Sequence, residues 1–304
     1  MKRQIWIQAL IMPAFLILAS CATVEVATSL ATAVGEQAGV LNQQQAEAIR
    51  KSTKAVSRSL EEFTPEQEYY VGRTVGAVVI SRYRVYYNPQ LNQYVNTLGQ
   101  TLAAASDKPE IFKGYHFLVL DSDDINAFAT PGGHIFITRG LIRSCPSEDA
   151  LAAILAHEIG HVQLRHGMQS IEKARVTEAL TVLATEGAKT LGSKEIAQLT
   201  QTFSGAISDI VNTMINNGYS RTFEYQADQA AVVIVQRVGY SPEGLIDVLK
   251  VMETKLQPGG LDFAKTHPPP RDRIAEIKKR NETFPPVTAP KSRQERFREA
   301  GSRI

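Results

Sequence analysis

The chain has 304 residues, 43% hydrophobic and 21% charged, with 20 glycines, 14 prolines and two cysteines. These figures exclude a wholly disordered chain, a collagen-like one and a disulfide-built scaffold, and leave room for one large domain or two small ones. The formal charge of +2 falls to zero, 31 basic against 31 acidic residues, once residues 1–20 with Lys2 and Arg3 are set aside, so no electrostatic case for a nucleic-acid partner survives.

In chain order, residues 1–20 read as an export signal. Met1-Lys2-Arg3 is a positive start, and residues 5–19 are an apolar stretch too short for a comfortable membrane span. Leu18-Ala19-Ser20-Cys21 resembles a bacterial lipobox, which implies cleavage before Cys21 and a lipid anchor on it. Three acyl chains, at about 0.8 kcal/mol per buried CH₂, hold a protein on a membrane where one does not. Ala22, rather than aspartate, points the expectation toward the periplasmic face of the outer membrane. With Cys21 acylated, Cys145 has no intramolecular partner and is expected as a small buried apolar residue.

Residues 21–63 are expected to be a lipidated N-terminus, a tether and a helix over about 42–60. Thr64-Pro65-Glu66 then starts a helix running to about 82, with proline at its first position. Asn88-Pro89 opens another, whose Leu91, Tyr94, Val95, Leu98 and Leu102 recur at helical spacing on one face. Residues 115–120 (YHFLVL) and 134–138 (HIFIT) are β-rich, with Pro131-Gly132-Gly133 as the turn before the second. Helices dominate from Ser147 to about Gly239. Residues 171–218 are moderately apolar but interrupted by Glu178, Glu186, Lys189, Lys194, Glu195 and Asp209, which predicts a helical hairpin or lid rather than membrane spans. The charged, proline-containing segment 283–304 is expected to be a poorly ordered tail.

The chemistry concentrates in His157-Glu158-Ile159-Gly160-His161. Its helical context is independent of the motif: Ser147 is a good N-cap, Glu148 and Asp149 suit the first turn, and Gly167 can end the helix. Histidines four apart on a helix point the same way, so His157 and His161 can bind one Zn²⁺ at about 2.0–2.1 Å. Glu158 projects beside them as a general base on a metal-activated water, without being a ligand. His166, nine residues after His157, falls on the opposite face at 100° per residue and is expected as a non-ligand near the helix C-terminus. A catalytic zinc needs a third protein ligand, and Glu224 is the candidate. Ser220 caps a helix on which Arg221, Glu224 and Asp228 share a face, so that Asp228 can accept the ring N–H of a ligating histidine. His116 and His134 read as ordinary residues of strand-like runs.

Four blocks together resemble the gluzincin metallopeptidases that include the CAAX prenyl endopeptidases, HtpX and the periplasmic lipoproteins of the BepA and LoiP type. They are Asn126-Ala127-Phe128-Ala129 with Gly132 to Phe136 and Gly140-Leu141; Glu148 to Leu151 leading into the histidine motif; the R-x-x-E-x-x-A-D segment from Arg221; and Thr266-His267-Pro268 with Arg271 to Ile274. The membrane helices and the tetratricopeptide extension of other members have no counterpart in the sequence, so the expected likeness is to compact lipoprotein members. The resemblance implies an α+β, mainly helical zincin-like domain over 64–282, with a small β-sheet whose edge strand borders the cleft. It implies one Zn²⁺ per chain and an endopeptidase acting on misfolded or misassembled cell-envelope proteins, with polypeptide substrates and envelope-assembly partners.

The same resemblance makes Gly133 to Thr138 the edge strand, with Gly133, His134 and Ile135 binding an extended substrate through the backbone. Asn126 would hold the substrate main chain, and His267 would be a regulatory fourth zinc ligand. Arg221 or a tyrosine would stabilise the oxyanion. The competing reading is a periplasmic holdase or assembly factor with little turnover; an intact Glu158 argues against it, because binding alone has no use for a base. A different zinc hydrolase, such as an amidase, comes third.

Overall fold

A computed structural model describes residues 21–37, most of 39–50, 63–170, 209–255, 267–280 and most of 284–304. The expected signal peptide lies outside the described residues, as does the expected hairpin or lid up to residue 208. The chain divides into two compact units, residues 1–61 with 178–199, and residues 62–177 with 200–304. In the first, helix α1 (Cys21–Gln37) stands where a tether was expected. Its alanines favour a helix, and Arg50 donates to Glu36 at 3.0 Å and to the Thr32 hydroxyl at 3.2 Å.

The second unit begins with α2 (Pro65–Arg82) and α3 (Pro89–Ala104). The Asn88 side chain accepts the Leu91 N–H at 3.0 Å, and Leu91, Val95, Leu98 and Leu102 form the buried face that their spacing predicts. Strands β1 (His116–Leu120), β2 (Ala127–Ala129) and β3 (His134–Thr138) make one sheet in the order β1-β3-β2. β3 runs parallel to β1, from His116 opposite His134 to Leu120 opposite Thr138, and antiparallel to β2, with Phe128 opposite Phe136. The expectation that Gly133 to Thr138 is the edge strand is therefore corrected: β3 is central, and β1 and β2 are the two edges. β3 is buried from Ile135 to Thr138, as befits a strand covered on both faces and paired on both sides.

Alternation on β3 splits the interior. Ile135 and Ile137 enter a large core with α3, while Phe136 joins Phe128 and Leu120 in a second cluster with Val71, Val75 and Val79 of α2. Thr138 ends β3 and caps α4 (Arg139–Ser144), its hydroxyl accepting the Leu141 N–H at 3.2 Å. Through the large core runs α5 (Glu148–Gln163), capped by Ser147 and buried from Glu148 to Val162. It packs against α6 (Arg221–Val238) and α7 (Glu243–Lys255). Helix α8 (Pro270–Arg280) turns Pro270, Arg273 and Ile277 inward and its other charges to solvent. Cys145 is buried, and burial pushes its thiol up to about 12.

Two expectations change here. α5 ends at Gln163 rather than Gly167, because Arg165 adopts a left-handed φ of 56° before the chain turns helical again at His166. The Arg165 side chain holds that turn, donating to Glu68 at 3.1 Å and to the Phe63 carbonyl at 3.2 Å. Within the segment expected to be a poorly ordered tail, α9 (Lys291–Gly301) is a docked helix. Its Arg293 donates to Asp149 at 3.0 Å and lies 4.0 Å over the Tyr240 ring. Its Arg296 forks onto Glu148, which also accepts the Tyr94 hydroxyl at 2.8 Å and the Tyr240 hydroxyl at 2.7 Å. The architecture is the expected mainly helical α+β one with a small sheet. Among the described residues, no helix is long and apolar enough to cross a membrane.

Candidate metal centre

Helix α5 presents His157 and His161 four residues apart, and α6 crosses it closely enough to present Glu224 to both. The close crossing needs Gly160, where a Cβ would come within 3.0 Å of the Ala227 carbonyl oxygen. The two Nε2 atoms face each other at 3.1 Å. Glu224 Oε2 lies 3.5 Å from His157 Nε2, and Glu224 Oε1 3.5 Å from His161 Nε2. His267, at the entry to α8, brings its Nε2 to 3.6 Å from Glu224 Oε2. These four residues offer donor atoms that all lie within 4.8 Å of one another, and they are the group of that kind found among the described residues.

This donor set fits a zinc ion. Two imidazole lone pairs directed at each other gain nothing unless a proton or a cation lies between them. Both Glu224 oxygens are buried without a hydrogen bond, which is costly for a carboxylate that has no cation to serve. Nitrogen and carboxylate donors in this number suit zinc.

Behind the donors, the outward ring nitrogens are also held. His157 Nδ1 donates to Asp228 Oδ1 at 3.0 Å. Asp228 is gripped in turn by Arg273, whose Nε reaches Oδ2 at 3.0 Å and whose Nη2 reaches Oδ1 at 2.5 Å. Burial alone would raise the Asp228 carboxyl, but the Arg273 guanidinium and His157 outweigh it and hold it at about 2. Burial and Arg273 pull His157 down, yet its hydrogen bond to Asp228 and the Glu224 carboxylate beside its other nitrogen prevail and lift it to about 9. The sequence reading did not single out Arg273. Its signal was there: it is the one basic residue of α8 spaced four from Ile277 on the inward face.

His166 is the larger surprise. The break at Arg165 swings it back, so that its Nδ1 sits 2.9 Å from His161 Nδ1 and its Nε2 3.1 Å from Gln226 Oε1. Phe223 stacks on its ring at 4.3 Å with the planes 4° apart. It stands outside the donor group, as expected, but not on the opposite face. Burial holds its imidazole down at about 4, so it is neutral.

Glu158 is 2% exposed and its Oε1 has no hydrogen-bond partner. Burial pushes its carboxyl up to about 7, with His157 opposing the shift and Glu224 adding to it. Tyr219 stacks on His161 at 4.6 Å, and its buried hydroxyl also lacks a partner. Desolvation, reinforced by Glu158 and Glu224, raises its pKa and keeps the phenol protonated.

None of the residues expected to bind substrate is in the donor group. Arg221 is two-thirds exposed and pairs with Asp272 at 3.6 Å. Asn126 is buried, and its side-chain oxygen accepts the neighbouring Ala127 N–H at 2.9 Å. Gly133 donates to the Thr130 carbonyl, and the His134 carbonyl accepts the Thr130 N–H. His134 stacks with His116 at 5.6 Å, and burial, with His116 beside it, lowers it to about 4. Ile135 points into the core.

Comparison with known proteins places this geometry. The model of peptidase family M48 matches residues 89–281. The chain is similar to the beta-barrel assembly-enhancing protease of Yersinia pestis, 31% identical over 210 residues that cover 67% of this chain and 42% of that one. Against the protein of the same name from Escherichia coli K12 it is 27% identical over 231 residues, 74% of this chain and 45% of that one. Against the metalloprotease LoiP of Escherichia coli K12 it is 27% identical over 195 residues, 64% of this chain and 70% of that one. The chain thus spans less than half the length of the two assembly-enhancing proteases.

Proposed function

The chain belongs to peptidase family M48 and is by that membership a metallopeptidase; from this premise we propose that it is a zinc-dependent endopeptidase of the bacterial cell envelope. One Zn²⁺ per chain would be held by His157, His161 and Glu224. The observation that carries the reading is the convergence of their donor atoms around two buried carboxylate oxygens that have no hydrogen bond. Zinc held there would supply Lewis acidity, polarising a peptide carbonyl and lowering the pKa of water so that a hydroxide-like nucleophile is available near neutral pH.

Glu158 takes the proton of the attacking water on its unpartnered Oε1 and passes it to the leaving amine. A carboxyl near 7 suits both halves of that exchange. Asp228 fixes the His157 ring, and Arg273 fixes Asp228. Tyr219, a protonated donor beside His161, supports the oxyanion role better than Arg221, which is turned to Asp272. An extended substrate would add at the β2 edge, because Asn92 and Asn96 of α3 already hydrogen-bond the outer backbone of β1, the other edge. His267 would act as a regulatory fourth ligand, a role its place in the donor group supports. The relatives named for β-barrel assembly support misassembled envelope proteins as substrates, and the lipobox at Cys21 supports a lipid anchor on the periplasmic face of the outer membrane.

The test is the purified protein assayed on unfolded casein with and without a chelator, with metal counted by mass spectrometry. Zinc near one per chain and cleavage that the chelator stops are expected. Zinc-free protein, or binding of casein with no chelator-sensitive cleavage, would replace this reading with a holdase.

A further inference from the structure

We propose that His166 and Gln226 form a hydrogen-bond relay that fixes the ring and tautomer of His161, making His166 a positioning residue for the metal. The inference rests on the zinc reading above and deepens it. A neutral imidazole carries one proton, and if the lone pair of His161 Nε2 faces the donor group, the proton must be on Nδ1. The atom 2.9 Å from that nitrogen is His166 Nδ1, which must then accept. His166 in turn carries its proton on Nε2, and the atom 3.1 Å away is Gln226 Oε1, an acceptor. Each donor meets an acceptor along the row, and the row has one direction. Reversing it would put a proton on His161 Nε2, aimed at His157 Nε2 and Glu224, where a metal ligand needs a lone pair.

The site thus backs its two histidines differently. His157 leans on an anion, Asp228, which a buried guanidinium compensates. His161 leans on two neutral groups, so it is oriented without adding a second buried charge behind the metal. The relay is built rather than incidental. Arg165, in its left-handed turn pinned to Glu68, brings His166 round, Phe223 stacks flat on its ring, and Gln226 comes from the same helix as Glu224.

The experiment measures zinc affinity by competition with a chromophoric chelator, and the visible spectrum of the cobalt-substituted protein, for wild type and variants. His166→Phe keeps the ring stack and removes the acceptor; a loss of about 10- to 100-fold in zinc affinity, with a shifted cobalt spectrum, is expected. His166→Asn, whose side-chain oxygen can stand where Nδ1 stood, should recover most of that affinity. Gln226→Leu should lose less than His166→Phe. Equal affinity and spectrum in wild type and His166→Phe would overturn the relay, as would His166→Asn binding no better than His166→Phe, which would leave packing alone. A wild type that binds no zinc would overturn the zinc reading and the relay with it, whereas normal zinc in wild type and His166→Phe alike would overturn the relay only.

Discussion

Glu158 and Glu224 show how one residue type takes two jobs a few ångströms apart. Glu224 has both oxygens among imidazole nitrogens, whereas Glu158 lies beside the group with Oε1 unpartnered and a carboxyl raised to about 7. Glu158→Gln should therefore lower casein cleavage about 10²- to 10⁴-fold, the usual worth of a general base, while zinc content stays at the wild-type level. Zinc lost from that variant would contradict the division of roles. His267→Ala should keep zinc and raise basal cleavage or self-cleavage if its imidazole competes for the fourth position; a fall in casein cleavage would identify a substrate-orienting residue instead. At this scale the sequence was legible where chemistry dictates spacing: His157, His161, Glu224 and Asp228 meet as their intervals require. It was not legible where backbone geometry intervenes. His166 is misplaced by ideal helical periodicity because a single left-handed arginine, stabilised by partners about a hundred residues away, interrupts the helix. Nothing local to Arg165 announces that.

Among the elements, the crossing of α5 and α6 sets the separation of the donors. Gly160 sits at the contact, within the histidine motif itself, and a Cβ there would also meet Ala230 at 3.1 Å. Gly160→Val should push the helices apart and lower zinc affinity more than it lowers the thermal stability of the metal-free protein; unchanged chelator competition would show that the crossing has slack. At the other end of α5, α9 neutralises two buried acids, Glu148 and Asp149. Replacing both Arg293 and Arg296 by alanine strands those carboxylates, and a loss of about 3–5 kcal/mol in denaturant unfolding is expected. Stability within about 1 kcal/mol of wild type would mean that the tyrosines and the Ser241 N–H suffice. The sequence reading used Glu148 and Asp149 as first-turn acids and as part of a block shared with the family, gave them no buried partner, and set the last segment aside as a tail, because a charged helix looks like a solvated one until its partners are known. It also took the β-rich 134–138 for the edge and missed that three residues, Ala127 to Ala129, are enough to flank it.

For the molecule as a whole, the mainly helical α+β class is what the family resemblance implied, while the sheet order was not legible, since pairing between strands leaves no mark in either one alone. Membrane attachment belongs to this scale too. No described helix is long and apolar enough to cross a bilayer, and the lipobox reading puts attachment on lipid at Cys21. Labelling cells with a fatty acid should mark the wild type and miss Cys21→Ser; equal labelling of both would remove the lipoprotein reading.

His157 Nδ1 lies within reach of Asp228, 71 residues on, and of Arg273, 116 residues on. The donor cluster therefore joins distant parts of the chain: loops of that length must close before the histidine has its acceptor and the acceptor its counter-charge. In synthesis Arg273 follows His157 by 116 residues, so the buried Asp228 that holds the His157 ring gains its counter-charge only once α8 has emerged and docked.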